Sequence, residues 1–248
     1  NGGGIATDQG TLTILDSVIR ENRATSDGGG IAVVGKGTIQ VVGGTVVGNV
    51  AENGDGGGIA NAGMVALSRT VIENNLAEAG SGGGIANDGT LDLSSPDTVI
   101  VRNNRARLGG GIATIGNGRL RSLIVQNNAA TQDGGGIWNQ GELVLEGATI
   151  EGNQSQAAGG GIYHEGSKTL TLLGGTVVRN NQAVLDGGGI AGRGKVVLTS
   201  VTIEGNRASG SGGGIAVAAQ ADIQRAQLVD NQAANDAGGL LVLETGKV

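Results

Sequence analysis

The chain has 248 residues, 52 of them Gly, with no Phe, no Cys, and one each of Trp, Tyr, Pro and Met. A core without aromatic residues must be filled by Ile, Val, Leu and Ala, which predicts a narrow core of many similar layers, and the lack of Cys removes disulfides and thiolate metal sites. Sixteen basic and 22 acidic residues give a formal net charge of −6; they are dispersed, so no basic stripe follows a phosphate backbone and nucleic acid is excluded as a partner.

The N-terminus is already in the repeat. Gly-Gly-Gly-Ile ends at Ile5, and the same motif ends at Ile31, Ile59, Ile85, Ile112, Ile137, Ile162, Ile190 and Ile215, with a degenerate Gly-Gly-Leu at Leu240. The steps run from 25 to 28 residues. A second marker precedes each later anchor: an aliphatic residue, two variable positions and then Asn, at Asn22, Asn49, Asn75, Asn104, Asn128, Asn153, Asn181, Asn206 and Asn231. Two residues further on stands a small side chain, from Ala24 to Ala233, with Ser155 in one repeat. High Gly content alone would suit disorder, but a fixed aliphatic schedule does not.

Within a repeat the apolar period is 2, as in Leu12-x-Ile14, Leu91-x-Leu93, Leu143-x-Leu145 and Leu170-x-Leu172, which predicts short strands with one face inward. No 3.6-residue stripe fits between the glycines, so helix is excluded. Three strands are expected per repeat: at Gly-Ile-Ala, at Leu-x-Leu, and ending at the aliphatic residue of the Asn marker. The fold class expected is therefore all-β, a single right-handed parallel β-helix (β-solenoid) of about nine three-strand coils over residues 1–248. At one strand spacing per coil, nine coils make a rod about 43 Å long.

The longest repeats carry Gly43-Gly44, Ser94-Ser95-Pro96-Asp97 or Gly174-Gly175, all at the corner between second and third strands, where an insertion bulges outward without disturbing register. The Asn column is expected to form a structural ladder, each amide bonding to the next and to a turn. The glycines are expected to provide positive-φ corners and close backbone approach. Two residues before the Asn, Arg20, Val47, Glu73, Arg102, Gln126, Glu151, Arg179, Glu204 and Val229 place opposite charges on several pairs of adjacent coils, worth about 0.2–1 kcal/mol each.

The two markers, Gly-Gly-x with an aliphatic residue and then Ile19-x-x-Asn22, Val46-x-x-Asn49, Ile72-x-x-Asn75 and onward to Leu228-x-x-Asn231, resemble the tandem repeats of the chlamydial polymorphic outer membrane proteins and related bacterial surface β-helices. Family members commonly carry Phe where this chain has Ile or Val. The resemblance covers nearly the whole chain and implies a bacterial cell-surface or secreted module, a filament or sheath subunit or the rod of an adhesin.

Carbohydrate-active β-helices, polysaccharide lyases or glycosidases, share this architecture and are the alternative. Their chemistry needs clustered carboxylates on one face, whereas Asp92, Glu142, Glu146 and Glu165 are scattered, so no catalytic residue, cofactor or metal site is assigned. Calcium-binding repeats need an acidic residue after the glycines, and here Asp27, Asp55, Asp133 and Asp186 precede them. One feature invites a ligand. Where most coils have Ala after the anchor Ile, adjacent coils carry Trp138 and Tyr163, with His164 beside Asn139, and outward rings one spacing apart would stack a sugar or meet a protein. The chain opens in repeat phase without Met and shows no cap at either end, so an excerpt of a longer rod or end-to-end self-association is expected. No apolar run of about 18 residues is present, so no membrane insertion is expected of this segment.

Overall fold

The computed structural model describes residues 1–243. Every coil is built in the same order, and the coil beginning at Ile137 serves as the pattern: Ile137–Asn139, Leu143–Glu146, Thr149–Glu151 and Gln154–Ser155. Each strand pairs in parallel with its equivalent one coil away, giving four sheets, the first of ten strands and the others of nine. To the three strands expected from the sequence the structure adds this two-residue fourth, which is too short to show a period.

The core follows from the alternation. Ile137, Leu143, Leu145 and Ile150 all point inward and are fully buried, and the anchors stack in register from Ile31 to Ile215, each fully buried. One continuous aliphatic cluster fills the rod, with branched side chains set one strand spacing apart on a pleated wall. The long insertions fall where expected: Gly43-Gly44 lies between Thr38–Val42 and Thr45–Val47, and residues 94–98 lie between Thr90–Leu93 and Val99–Arg102.

The Asn column is a hydrogen-bonded ladder. Asn128 donates from its backbone N and its Nδ2 to Asn153 Oδ1, at 2.9 and 3.0 Å, while Asn153 makes the same two bonds to Asn181 Oδ1, each at 2.9 Å. From Asn49 to Asn231 each Nδ2 also donates to the carbonyl of an aliphatic residue one coil back, as Asn153 does to Val125 at 3.0 Å. Every polar atom of the side chain is thus satisfied, as a side chain that is fully buried requires. The residue before each ladder Asn has positive φ, with Asn74, Asn103, Asn127 and Asn180 all at 55°. Asn and Gly dominate this position because they adopt left-handed backbone at the least cost.

Outward charges stack in register, Glu73 on Arg102 and Glu151 on Arg179. The ion pairs are 2.7 Å for Arg102–Glu73 and 3.0 Å for Arg179–Glu151. All four side chains keep substantial solvent contact, which limits each pair to about 0–1 kcal/mol.

Candidate functional site

The segment of chain that precedes each glycine triplet folds over the outer side of the first sheet. In that arm Asp27, Asp55, Asp133 and Asp186 occupy equivalent places, and their Oδ1 atoms accept the backbone N–H of Asp55, Ser81, Ala158 and Ser211 at 2.6 to 3.0 Å. The carboxylates therefore join one coil's arm to the next, as hydrogen-bond acceptors for amides that the strand ladders leave open.

Between arm and sheet runs a channel floored by the residues that follow the anchors. Ala113, Trp138, Tyr163 and Ala191 are successive in register. Trp138 and Tyr163 sit on adjacent coils, as the sequence places them, but their rings are not open faces. Each is 9% exposed, and together with Ala113 and Ala191 they form a second apolar cluster against Leu108 and Ala158 of the arm. The expectation of outward rings free to stack a sugar is corrected on this point: outward from the sheet is inward to the arm. Burial also pushes the Tyr163 phenol up, with the Asp133 and Glu165 carboxylates acting in the same direction.

His164 and Asn139 lie on the inner side of the same strands and are fully buried. His164 Nε2 is 2.9 Å from Lys168 O, and Nδ1 is 2.9 Å from Asn139 Nδ2 and 3.3 Å from Asn139 O, so both ring nitrogens are engaged within the rod. The next coil makes room for the ring with Gly194, where a Cβ would meet His164 Cδ2 at 2.6 Å. Asn139 Nδ2 also donates to Gly141 O, while Asn139 Oδ1 has no partner. This histidine is thus a packed member of a polar column, not an open ligand.

That column was not read from the sequence. It holds Asn61, Asn87, Thr114, Asn139 and His164 in register, with Asn61 Nδ2 donating to Asn87 Oδ1 at 2.7 Å and Asn87 Nδ2 to Thr114 Oγ1 at 3.0 Å. The signal is Ile-x-Asn at Asn61, Asn87 and Asn139, a second Asn marker two residues after the anchor.

Toward the N-terminus the same channel has no aromatic filling. There Ala32, Ala60 and Ala86 form the floor of a groove of about 140 Å³ whose rim carries Asp27, Asp55 and Asp88. The Asp88 carboxyl is pushed above the usual carboxylate range, first by burial and then by Asp55 and Asp27. A folded-state pKa raised above the unfolded value means that the charged form is penalised in the fold at neutral pH, and that the penalty disappears as pH falls through the folded pKa. Asp88→Asn is therefore expected to raise the melting temperature at pH 7, and its advantage should vanish at about pH 4, near ordinary carboxylate values; thermal melts of both proteins at the two pH values check this.

Two segments match the Chlamydia polymorphic membrane protein repeat. They are residues 147–165 and 200–218, and each runs from a third strand, through its ladder Asn and glycine triplet, into the next first strand. The first matched segment contains Asn153, Tyr163 and His164, members of the ladder, the aromatic cluster and the inner polar column of this chain. No curated protein and no solved structure matches the chain. Scattered acids have local partners where they are paired at all: Glu146 takes Arg119 at 3.1 Å and Arg121 at 2.9 Å, and the hydrogen bond from Arg119 together with both guanidinium charges holds its carboxyl below the usual range.

Trp138 Nε1 is buried with no partner. Trp138→Phe removes that unsatisfied donor and leaves a small gap, two effects of opposite sign. The expected net change is within about 1 kcal/mol, read by denaturant titration.

Proposed function

We propose that this chain is a structural rod of a bacterial surface protein, a stalk or adhesin module without catalytic activity. The observation that carries the reading is the unbroken register of the core and the Asn ladder along the coils, joined to the repeat match with polymorphic membrane proteins. Four parallel sheets locked to one another by buried aliphatic stacks and amide chains resist bending and local opening, as a spacer requires. The polar side chains within the rod, Asn139 and His164 included, support it by bonding coil to coil.

Small-angle scattering is expected to give an elongated particle with a uniform cross-section. A panel of polysaccharides, polygalacturonate among them, should release neither new reducing ends nor unsaturated sugars when incubated with the protein. Turnover of any of them would replace the rod reading with the polysaccharide lyase or glycosidase alternative. End-to-end association of copies is a further partner reading, and negative-stain microscopy across a concentration series tests it, with fibres expected if copies stack.

A further inference from the structure

We propose that the outer face of the fourth sheet, over the coils from Gln154 to Gln232, binds a linear acidic glycan lying along the rod axis. The two-residue fourth strands place one side chain outward and one small side chain inward. Gln154, Gln182, Arg207 and Gln232 are successive in register and exposed. Behind them the small residues from Ser155 to Ala233 form the floor of a groove of about 460 Å³. Four positions one strand spacing apart extend over about 14 Å.

The same column holds two other arginines. Arg23 pairs with Glu52 at 3.1 Å and Glu78 at 3.2 Å, whereas the exposed Arg105, two coils before Gln154, stands between the apolar Leu76 and Ala129 with no amide beside it. Among the described residues, no ion pair and no side-chain hydrogen bond engages Gln154, Gln182, Arg207 or Gln232. No carboxylate lines the groove, although the chain as a whole carries a net charge of −6. Asp230 stands on the flank in an adjoining depression and forms no ion pair with Arg207. The result is a trough of open amides around one uncompensated guanidinium.

That chemistry selects the occupant. A primary amide offers both a donor and an acceptor, as a hydroxyl does, and Gln therefore suits a chain that repeats hydroxyl groups. Guanidinium takes a carboxylate in a two-point bond. The outward polar side chains, three amides and one guanidinium, recur once per coil, close to the length of one pyranose ring in an extended chain. An extended peptide is less well matched: the strands run across the rod, so a chain lying along it meets side chains and cannot add to a sheet edge. Without an aromatic platform in the groove, binding is weak, with a dissociation constant on the order of 1 mM.

The test is titration of the ¹⁵N-labelled full chain with a galacturonate hexamer, with cellohexaose and hexaglutamate in parallel, following the Gln side-chain amides by NMR. Saturable shifts at Gln154, Gln182 and Gln232 with the galacturonate hexamer are expected. They should weaken about tenfold in Arg207→Gln, which removes one charge-assisted two-point contact, and stay unchanged in Arg23→Gln. Circular dichroism confirms that both exposed-site variants are folded. The proposal is overturned by the absence of saturable shifts, by tighter binding of hexaglutamate, by equal binding of cellohexaose, or by an Arg207→Gln variant that binds like the parent. Cleavage of the hexamer would instead refute the non-catalytic rod, so failures of the two readings are separately visible.

Discussion

Asn153→Ala is expected to lower the unfolding free energy by about 3–5 kcal/mol, the loss from leaving several buried polar groups without partners. The Asn153 side chain accepts from the backbone N and Nδ2 of Asn128 and donates to Asn181 Oδ1 and Val125 O. Removing it leaves the Asn128 N–H and the Val125 carbonyl buried without these bonds, and the methyl group that replaces the amide offers nothing in return. Because the rod is a linear array, unfolding can separate into segments. Urea midpoints should therefore be accompanied by hydrogen exchange, which is expected to show the largest loss of protection around Asn128 and Asn181. A loss below about 1 kcal/mol would mean that water enters and replaces the amide.

Gly57→Ala is the second large effect, expected at about 3 kcal/mol, toward the upper end for forcing atoms into a filled space. Gly57 has ordinary backbone geometry, so its cost is steric alone. A Cβ there would stand 2.6 Å from both Leu76 N and Gly83 O, which are backbone atoms of the adjacent coil and cannot rotate away. The coils must separate locally, breaking the bonds from Gly57 N to Gly82 O and from Gly58 N to Gly83 O. Gly175→Ala is the control. It has nothing within 4 Å of the added atom and a φ of +80°, so only the left-handed backbone penalty of about 1–2 kcal/mol applies. Equal losses at the two sites would refute the steric account.

The coil, its period and its ladder were legible because they repeat. Asn recurring three residues after an aliphatic position, in every coil, is visible without coordinates, and the corner that tolerates Ser94 to Asp97 is visible as a change in length. Four things were not. The fourth strand is two residues long, shorter than any period can reveal. The left-handed residue before the ladder Asn varies among Asn, Gly, Glu and Asp, so its common property is conformational, not chemical. The polar column through Asn61, Asn87 and His164 has mixed residue types, and its Ile-x-Asn marker stands in only three coils, too few to be read as a ladder before the strands are in register. The burial of Trp138 and Tyr163 depends on Leu108 and Ala158, which lie in the arms just before the glycine triplets and reach the rings only because those arms fold back over the sheet. Alternation identifies which side of a sheet a ring takes, but not what lies on that side.

The amide ladder also gives the rod an electrical sense of direction. Backbone N–H and C=O groups alternate along each parallel strand, so their axial dipoles largely cancel. The Asn side chains do not alternate: from Asn22 to Asn206 each Nδ2 donates to the Oδ1 of the following coil. Their dipoles add, as peptide dipoles do along a helix. Two coils therefore fit only head to tail, since an inverted neighbour would set carbonyl oxygen against carbonyl oxygen. Removing or duplicating one whole coil would leave that sense intact, making length adjustable in units of a single turn.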